Sequence, residues 1–203
     1  MTPYYETELG KLYHGDCLEI MPMLEPVDLV LTDPPYGLNS KMQGGTGGTA
    51  YRRGDMLKWD YVIKQEDFNK LLKIGNIQII WGANNYIVPP SRCWLIWEKP
   101  NIPTLSDIEM AWTNIDFPSK KVKNNRISQA NNHPTEKPLG IFVWCIEFSK
   151  TKGIVLDPFI GSGTTAVACE RLNRRWIGIE IEEKYCEIAA KRIEKERSQL
   201  KLW

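Results

Sequence analysis

The sequence holds no apolar run approaching the roughly 20 residues that a membrane-spanning helix needs. Its first twelve residues carry no long apolar stretch after a basic start, which argues against a secretory signal. The five cysteines, Cys17, Cys93, Cys145, Cys169 and Cys186, include no Cys-x-x-Cys pair, and His14 and His133 are the two histidines. Zinc coordination is therefore not expected, nor is any other metal site. Thiols scattered among apolar residues suit reduced, buried cysteines and a cytoplasmic setting. Charge of one sign is also missing: 26 Lys and Arg oppose 25 Asp and Glu, for a formal net charge of +1. A nucleic-acid partner would then be held by local basic patches and not by bulk charge. With 42% hydrophobic and 25% charged residues in 203, the chain can bury a core, which excludes a disordered or collagen-like polymer.

Strand-like and helix-like segments alternate along the chain. Lys11 to His14, Val27 to Thr32, Ile77 to Trp81, Cys93 to Trp97, Ile108 to Ile115, Ile154 to Leu156 and Trp176 to Ile181 read as strands. Cys17 to Leu24, a segment around Phe68, Leu71 and Leu72 stopping at Gly75, Pro138 to Ser149, Thr164 to Arg171, and a last segment from Glu182 read as helices. Gly37 to Trp59 and the basic stretch Lys120 to Asn132 read as loops, the former long enough to be functional. The alternation predicts an α/β fold with a doubly wound, mostly parallel sheet in one domain spanning residues 1–203.

Two motifs carry chemistry. Asp157-Pro158-Phe159-Ile160-Gly161-Ser162-Gly163-Thr164-Thr165 follows a predicted strand and opens a predicted helix. Glycines there let the backbone turn tightly and approach a ligand closely. Glu180 ends the next strand, where an acid in nucleotide-type folds accepts hydrogen bonds from ribose hydroxyls. Asp33-Pro34-Pro35-Tyr36 also lies at the end of a predicted strand, the edge at which open α/β sheets bind ligands. If the two strands are neighbours, both motifs face one crevice.

These pieces, with His14-Gly15-Asp16, the run His133-Pro134-Thr135-Glu136-Lys137-Pro138, and Gly178-Ile179-Glu180, resemble the DNA methyltransferases that modify the amino groups of adenine N6 or cytosine N4. The catalytic motif precedes the cofactor motif, as in the permuted beta group of that family. The resemblance implies a Rossmann-like methyltransferase sheet of about seven strands and S-adenosylmethionine as cofactor. It implies that Asp33 and the Pro34 carbonyl accept the hydrogens of the target amine, with Pro35 stiffening the turn and Tyr36 stacking on a base flipped out of the duplex. By the same carry-over, Asp157, Pro158, Phe159, Gly161, Ser162, Gly163 and Thr164 surround the amino-acid end of the cofactor, and Asp33 borders it. Glu180 meets its ribose, and Ile181, Asp16 and Cys17 meet its adenine. Thr135, Lys137 and Pro138 close over its methionine end.

The expected partner is double-stranded DNA in a bacterial, archaeal or phage setting. Lys41, Arg52 and Arg53 in the long loop, and Lys120, Lys121, Lys123 and Arg126, are the basic clusters that could meet phosphates. The family's target-recognition region is here reduced to about residues 117–132, so a short site, help from the long loop, or a second copy of the chain in a homodimer is implied. Asp before Pro34 favours adenine. N4 of cytosine, an RNA base, and a non-catalytic protein binding cofactor or DNA remain open alternatives.

Overall fold

The computed structural model describes residues 1–35, 63–99, 106–123 and 137–200. Nine strands among them form one sheet: β1 (Tyr5–Glu6), β2 (Gly10–His14), β3 (Val27–Thr32), β4 (Gly75–Trp81), β5 (Trp94–Glu98), β6 (Ile108–Thr113), β7 (Lys120–Lys123), β8 (Val155–Asp157) and β9 (Trp176–Glu180). Their order is β1-β2-β9-β8-β3-β4-β6-β5-β7. Five helices cover it: α1 (Cys17–Ile20), α2 (Gln65–Ile74), α3 (Leu139–Ser149), α4 (Thr164–Arg171) and α5 (Glu183–Leu200).

The two faces follow from alternation within the strands. In β3, Leu29 and Leu31 join one apolar cluster, with Ile141 of α3, Ala166 of α4 and Ile193 of α5. Val30 points the other way and joins Ile20 of α1 with Phe68 and Leu71 of α2. In β4, Ile79 and Trp81 go to the first cluster and Ile80 to the second. A strand buried on both faces is mostly apolar, as Leu29 to Leu31 of β3 and Ile79 to Trp81 of β4 are. All five cysteines are free and buried, and burial pushes the Cys17 and Cys186 thiols up to about 12, which leaves them unreactive.

Strands β2, β9, β8, β3 and β4 run parallel. Val30 pairs with Leu156, so the strand before Asp33 and the strand ending at Asp157 are neighbours, as the crevice requires. Beyond β4 the sheet continues through the reversed strand β6 to β5 and β7, which run parallel to each other. Because β6 is reversed, its beginning lies at the same end of the sheet as the C-terminal ends of β4 and β5.

Two expectations need correction. The seven strands read from the sequence are all present, but β1 and β7 extend the sheet to nine. Lys120 to Lys123, expected as loop, is the edge strand β7. The remainder of that stretch, the 37–59 loop and residues Tyr36 and Thr135 lie outside the described residues.

Candidate active site

The cofactor motif is built from backbone. Gly163 caps α4 with φ +87°, in the left-handed region, and a Cβ there would lie 2.9 Å from the Ala189 side chain of α5. Gly161 has φ +52°, and a Cβ built on it would meet no protein atom nearer than 4.0 Å, so the space beside it is open. Glu180 stitches the turn to the sheet. One carboxylate oxygen accepts from Gly161 N at 2.9 Å and the other from Glu182 N at 2.8 Å. Arg192, on α5, donates to the Ser162 carbonyl at 2.7 Å and to its hydroxyl at 2.6 Å, which fixes the turn from outside.

Beside this turn lies a groove lined by Gly15, Asp16, Cys17, Pro158, Phe159, Ile179, Glu180 and Ile181. The β2–β9 pairing brings His14 opposite Glu180, and Gly15 N donates to the Glu180 carbonyl at 2.9 Å. Asp16 caps α1, accepting from Leu18 N at 2.8 Å, and this holds its carboxylate at the rim. Asp16, Cys17, Pro158, Phe159, Glu180 and Ile181, far apart in sequence, thus line one groove.

Asp157 plays a different part. Its carboxylate accepts from Thr32 Oγ1 at 2.7 Å, from Phe159 N at 3.1 Å and from the Thr165 hydroxyl. It ties β8 to β3 immediately before Asp33. Burial pushes its carboxyl up to about 6, against the pull of these three hydrogen bonds.

Asp33 follows β3 at the crevice. Its Oδ2 pairs with the ammonium of Lys137, and its Oδ1 is buried with no hydrogen-bond partner among the described residues. Burial raises the carboxyl above its ordinary value, and Lys137 pulls it back. Pro34 is buried, and the Pro35 carbonyl accepts a hydrogen bond from the Tyr86 hydroxyl, whose ring stacks on Phe68 with centroids 4.2 Å apart. Tyr86 therefore pins the turn that carries the motif. Lys137 is 5% exposed and also pairs with Glu109 at 3.0 Å, while Pro138 caps α3 behind it.

Tyr86, Glu109, Lys99 and Arg192 were not singled out from the sequence. None lies in a motif, and only the fold reveals them. Of the basic residues expected at DNA, Lys121 and Lys123 pair with Glu98 at 3.3 and 3.1 Å, and Lys120 lies 5.2 Å from the centre of the Phe117 ring. Lys123 ends β7 at the crevice edge of the sheet, whereas Lys120 begins it at the opposite edge. Lys41, Arg52, Arg53 and Arg126 lie outside the described residues. Among the described residues no group of three or more His, Cys, Asp or Glu side chains could hold a metal ion, and no helix is long and apolar enough to cross a membrane.

With strand order, glycine turn and Asp33 crevice in place, comparison with known proteins gives the family. Residues 83–191, just over half the chain, match the family described as DNA methylase. The chain belongs to this family of DNA methyltransferases. It is 28% identical to the Type II methyltransferase M2.LlaDCHI of Lactococcus lactis subsp. cremoris, over 95% of this chain and 92% of that protein. The match to the Type II methyltransferase M2.DpnII of Streptococcus pneumoniae is also 28%, over 96% and 93%. The alignment with M2.LlaDCHI runs to 248 positions, so that relative carries segments which this 203-residue chain lacks. Among solved structures, the M1.HpyAVI–SAM complex superposes with a TM-score of 0.61 at 25% identity, covering 91% of this chain and 99% of that one. The cytosine-N4-specific PvuII DNA methyltransferase shares the fold, with a TM-score of 0.63 at 18% identity over 97% of this chain and 94% of its own.

Proposed function

We propose that the chain transfers a methyl group from S-adenosylmethionine to the N6 amine of adenine in double-stranded DNA, on a base turned out of the helix. The observation that carries this reading is the Asp33 carboxylate: one oxygen anchored by Lys137, the other buried and unpartnered at the crevice. An exocyclic amine has its lone pair delocalised into the ring and is a poor nucleophile. A carboxylate that accepts one of its hydrogens, with the Pro34 carbonyl accepting the other, frees the lone pair and stabilises the positive charge that develops on nitrogen. The raised proton affinity of Asp33 suits a group that receives the proton which the methylated amine sheds.

The residues present fit the cofactor. Space stands open beside Gly161, and the adjoining groove combines the apolar Phe159 and Ile181 with the carboxylates of Asp16 and Glu180. Phe159 and Ile181 would flank its adenine, Asp16 would take the adenine amine, and Glu180 the ribose hydroxyls. When bound, S-adenosylmethionine supplies a methyl group made electrophilic by its sulfonium. Relatives named as Type II methyltransferases, and a similar structure holding SAM, support the same assignment.

Adenine is favoured over cytosine because Asp, not Ser, precedes Pro34. Tyr36 stacks on the extruded base in this reading, and Lys123, at the crevice edge of the sheet, is the described lysine best placed for phosphate contact. A single domain acting alone or as a homodimer would serve equally. Mixed-sequence DNA incubated with isotopically labelled S-adenosylmethionine, digested and read by nucleoside mass spectrometry, should carry label on adenine N6. Label on cytosine N4 would overturn the base assignment, and absence of label from DNA would overturn the reading.

A further inference from the structure

Asp33 stands at the end of a chain of four charges drawn from four separate segments. Its Oδ2 pairs with Lys137, before α3. The same ammonium pairs with Glu109 Oε2 at 3.0 Å, at the beginning of β6. The other oxygen of Glu109 pairs with Lys99, just after β5. Each ammonium also lies over an indole, Lys137 at 5.6 Å from the Trp81 centroid and Lys99 at 5.4 Å from that of Trp97. Glu109 reaches this place because β6 is reversed. Glu109 pairs in register with Trp97, and Lys99 N donates to the Asp107 carbonyl, so both sit at the crevice end of the sheet. Two acids and two bases leave the chain neutral, the condition under which the buried Lys137 ammonium and its half-buried partners tolerate the loss of water. Burial pushes the Glu109 carboxyl up, but Lys137 and Lys99 more than offset it and hold it ionised below its ordinary value.

The partition of Lys137 matters for the site. An ammonium facing a lone carboxylate can bridge both of its oxygens. Lys137 pairs with Glu109 as well as with Asp33, and of the two Asp33 oxygens it pairs with Oδ2. We propose that Glu109, held in turn by Lys99, is a positioning residue of the methyl transfer: it draws the Lys137 ammonium to one side and thereby reserves Asp33 Oδ1 for the target amine. This rests on the reading of Asp33 as the amine acceptor. Among the described residues, the charged groups facing Asp33 are Lys137, Glu109, Lys99 and, across the strand pair, Asp157.

The test is Glu109→Gln, which keeps the shape and removes the charge. Its kcat should fall roughly 10- to 100-fold, the range for a misplaced reacting group, with the KM for S-adenosylmethionine unchanged. The second readout needs no turnover. In protein labelled with ¹³C at aspartate carboxyls, the Asp33 signal is assigned by its loss in Asp33→Asn. Its titration should move to lower pH in Glu109→Gln, which removes a neighbouring negative charge, and to higher pH in Lys137→Met. Should Glu109→Gln fail to fold, the double variant Glu109→Gln with Lys99→Gln, which stays charge-neutral, should fold and show the same loss of kcat. Full kcat in either variant, or a loss matched by weaker cofactor binding and lower stability, overturns the role of Glu109 alone. A wild type that methylates no DNA overturns the reading of Asp33 itself.

Discussion

The two halves of the crevice are made in opposite ways. The cofactor half comes from one contiguous stretch, Asp157 to Thr165, completed by Glu180. It works through backbone shape, with glycines in left-handed conformations and hydrogen bonds to Glu180 and from Arg192 holding the turn. The half proposed to accept the amine draws its charges from positions 33, 99, 109 and 137, and works through balanced charge beside the Pro34 carbonyl. The first half can be broken by adding a methyl group. The second can be broken by removing a charge without changing any volume.

Four experiments sharpen that contrast. Asp33→Ala should show the largest effect. It removes the acceptor, so kcat should fall by at least about 10²–10³-fold, while calorimetry finds cofactor affinity largely retained. Gly163→Val should do the reverse. The φ of +87° and the Ala189 contact forbid the side chain, so cofactor binding and thermal stability should fall together, and unchanged affinity would show that the turn does not touch the ligand. Arg192→Ala loosens the same turn without straining it. Loss of hydrogen bonds from a charged donor should weaken cofactor binding about 10-fold, with kcat at saturation unchanged.

The smallest effect concerns the seam between the halves. The Asp157 carboxyl is raised from 3.8 to about 6 in the folded protein. The folded form therefore holds this proton more tightly than the unfolded chain, and deprotonation over that interval favours unfolding. The stability of the wild type relative to Asp157→Asn should decline as pH rises from 3.8 to about 6 and level off above it, read as the difference in melting temperature. A flat difference would mean that the three hydrogen bonds to Asp157 balance its burial, and a rise with pH that they outweigh it.

The same contrast explains what could be read in the sequence. The strand, glycine turn, helix and acid of the cofactor half are local in sequence, and so is Asp33 with its prolines after an apolar strand. Each was legible, as was the adjacency of β3 and β8 once both motifs were required to share a crevice. Edge strand β7 was not. It reads Lys-Lys-Val-Lys, and with only Val122 partly buried it offers no apolar alternation. Its lysines are the kind that protect a sheet edge from further pairing. Glu109 and Lys99 escaped for another reason. Each is an ordinary charge on a strand or just past one, and nothing local says that the order β4-β6-β5 carries them to Lys137.

The bond from Thr32 to Asp157 spans 125 residues of sequence. At the roughly 5–20 residues added per second during synthesis, Asp33 leaves the ribosome about 6–25 s before the strand that completes its crevice exists. Until β8 arrives, β3 lacks a neighbour on one side, and the glycine turn has not been made. A nascent chain that has not yet reached β8 therefore holds Asp33 without the crevice around it, and the arrival of that strand completes the site.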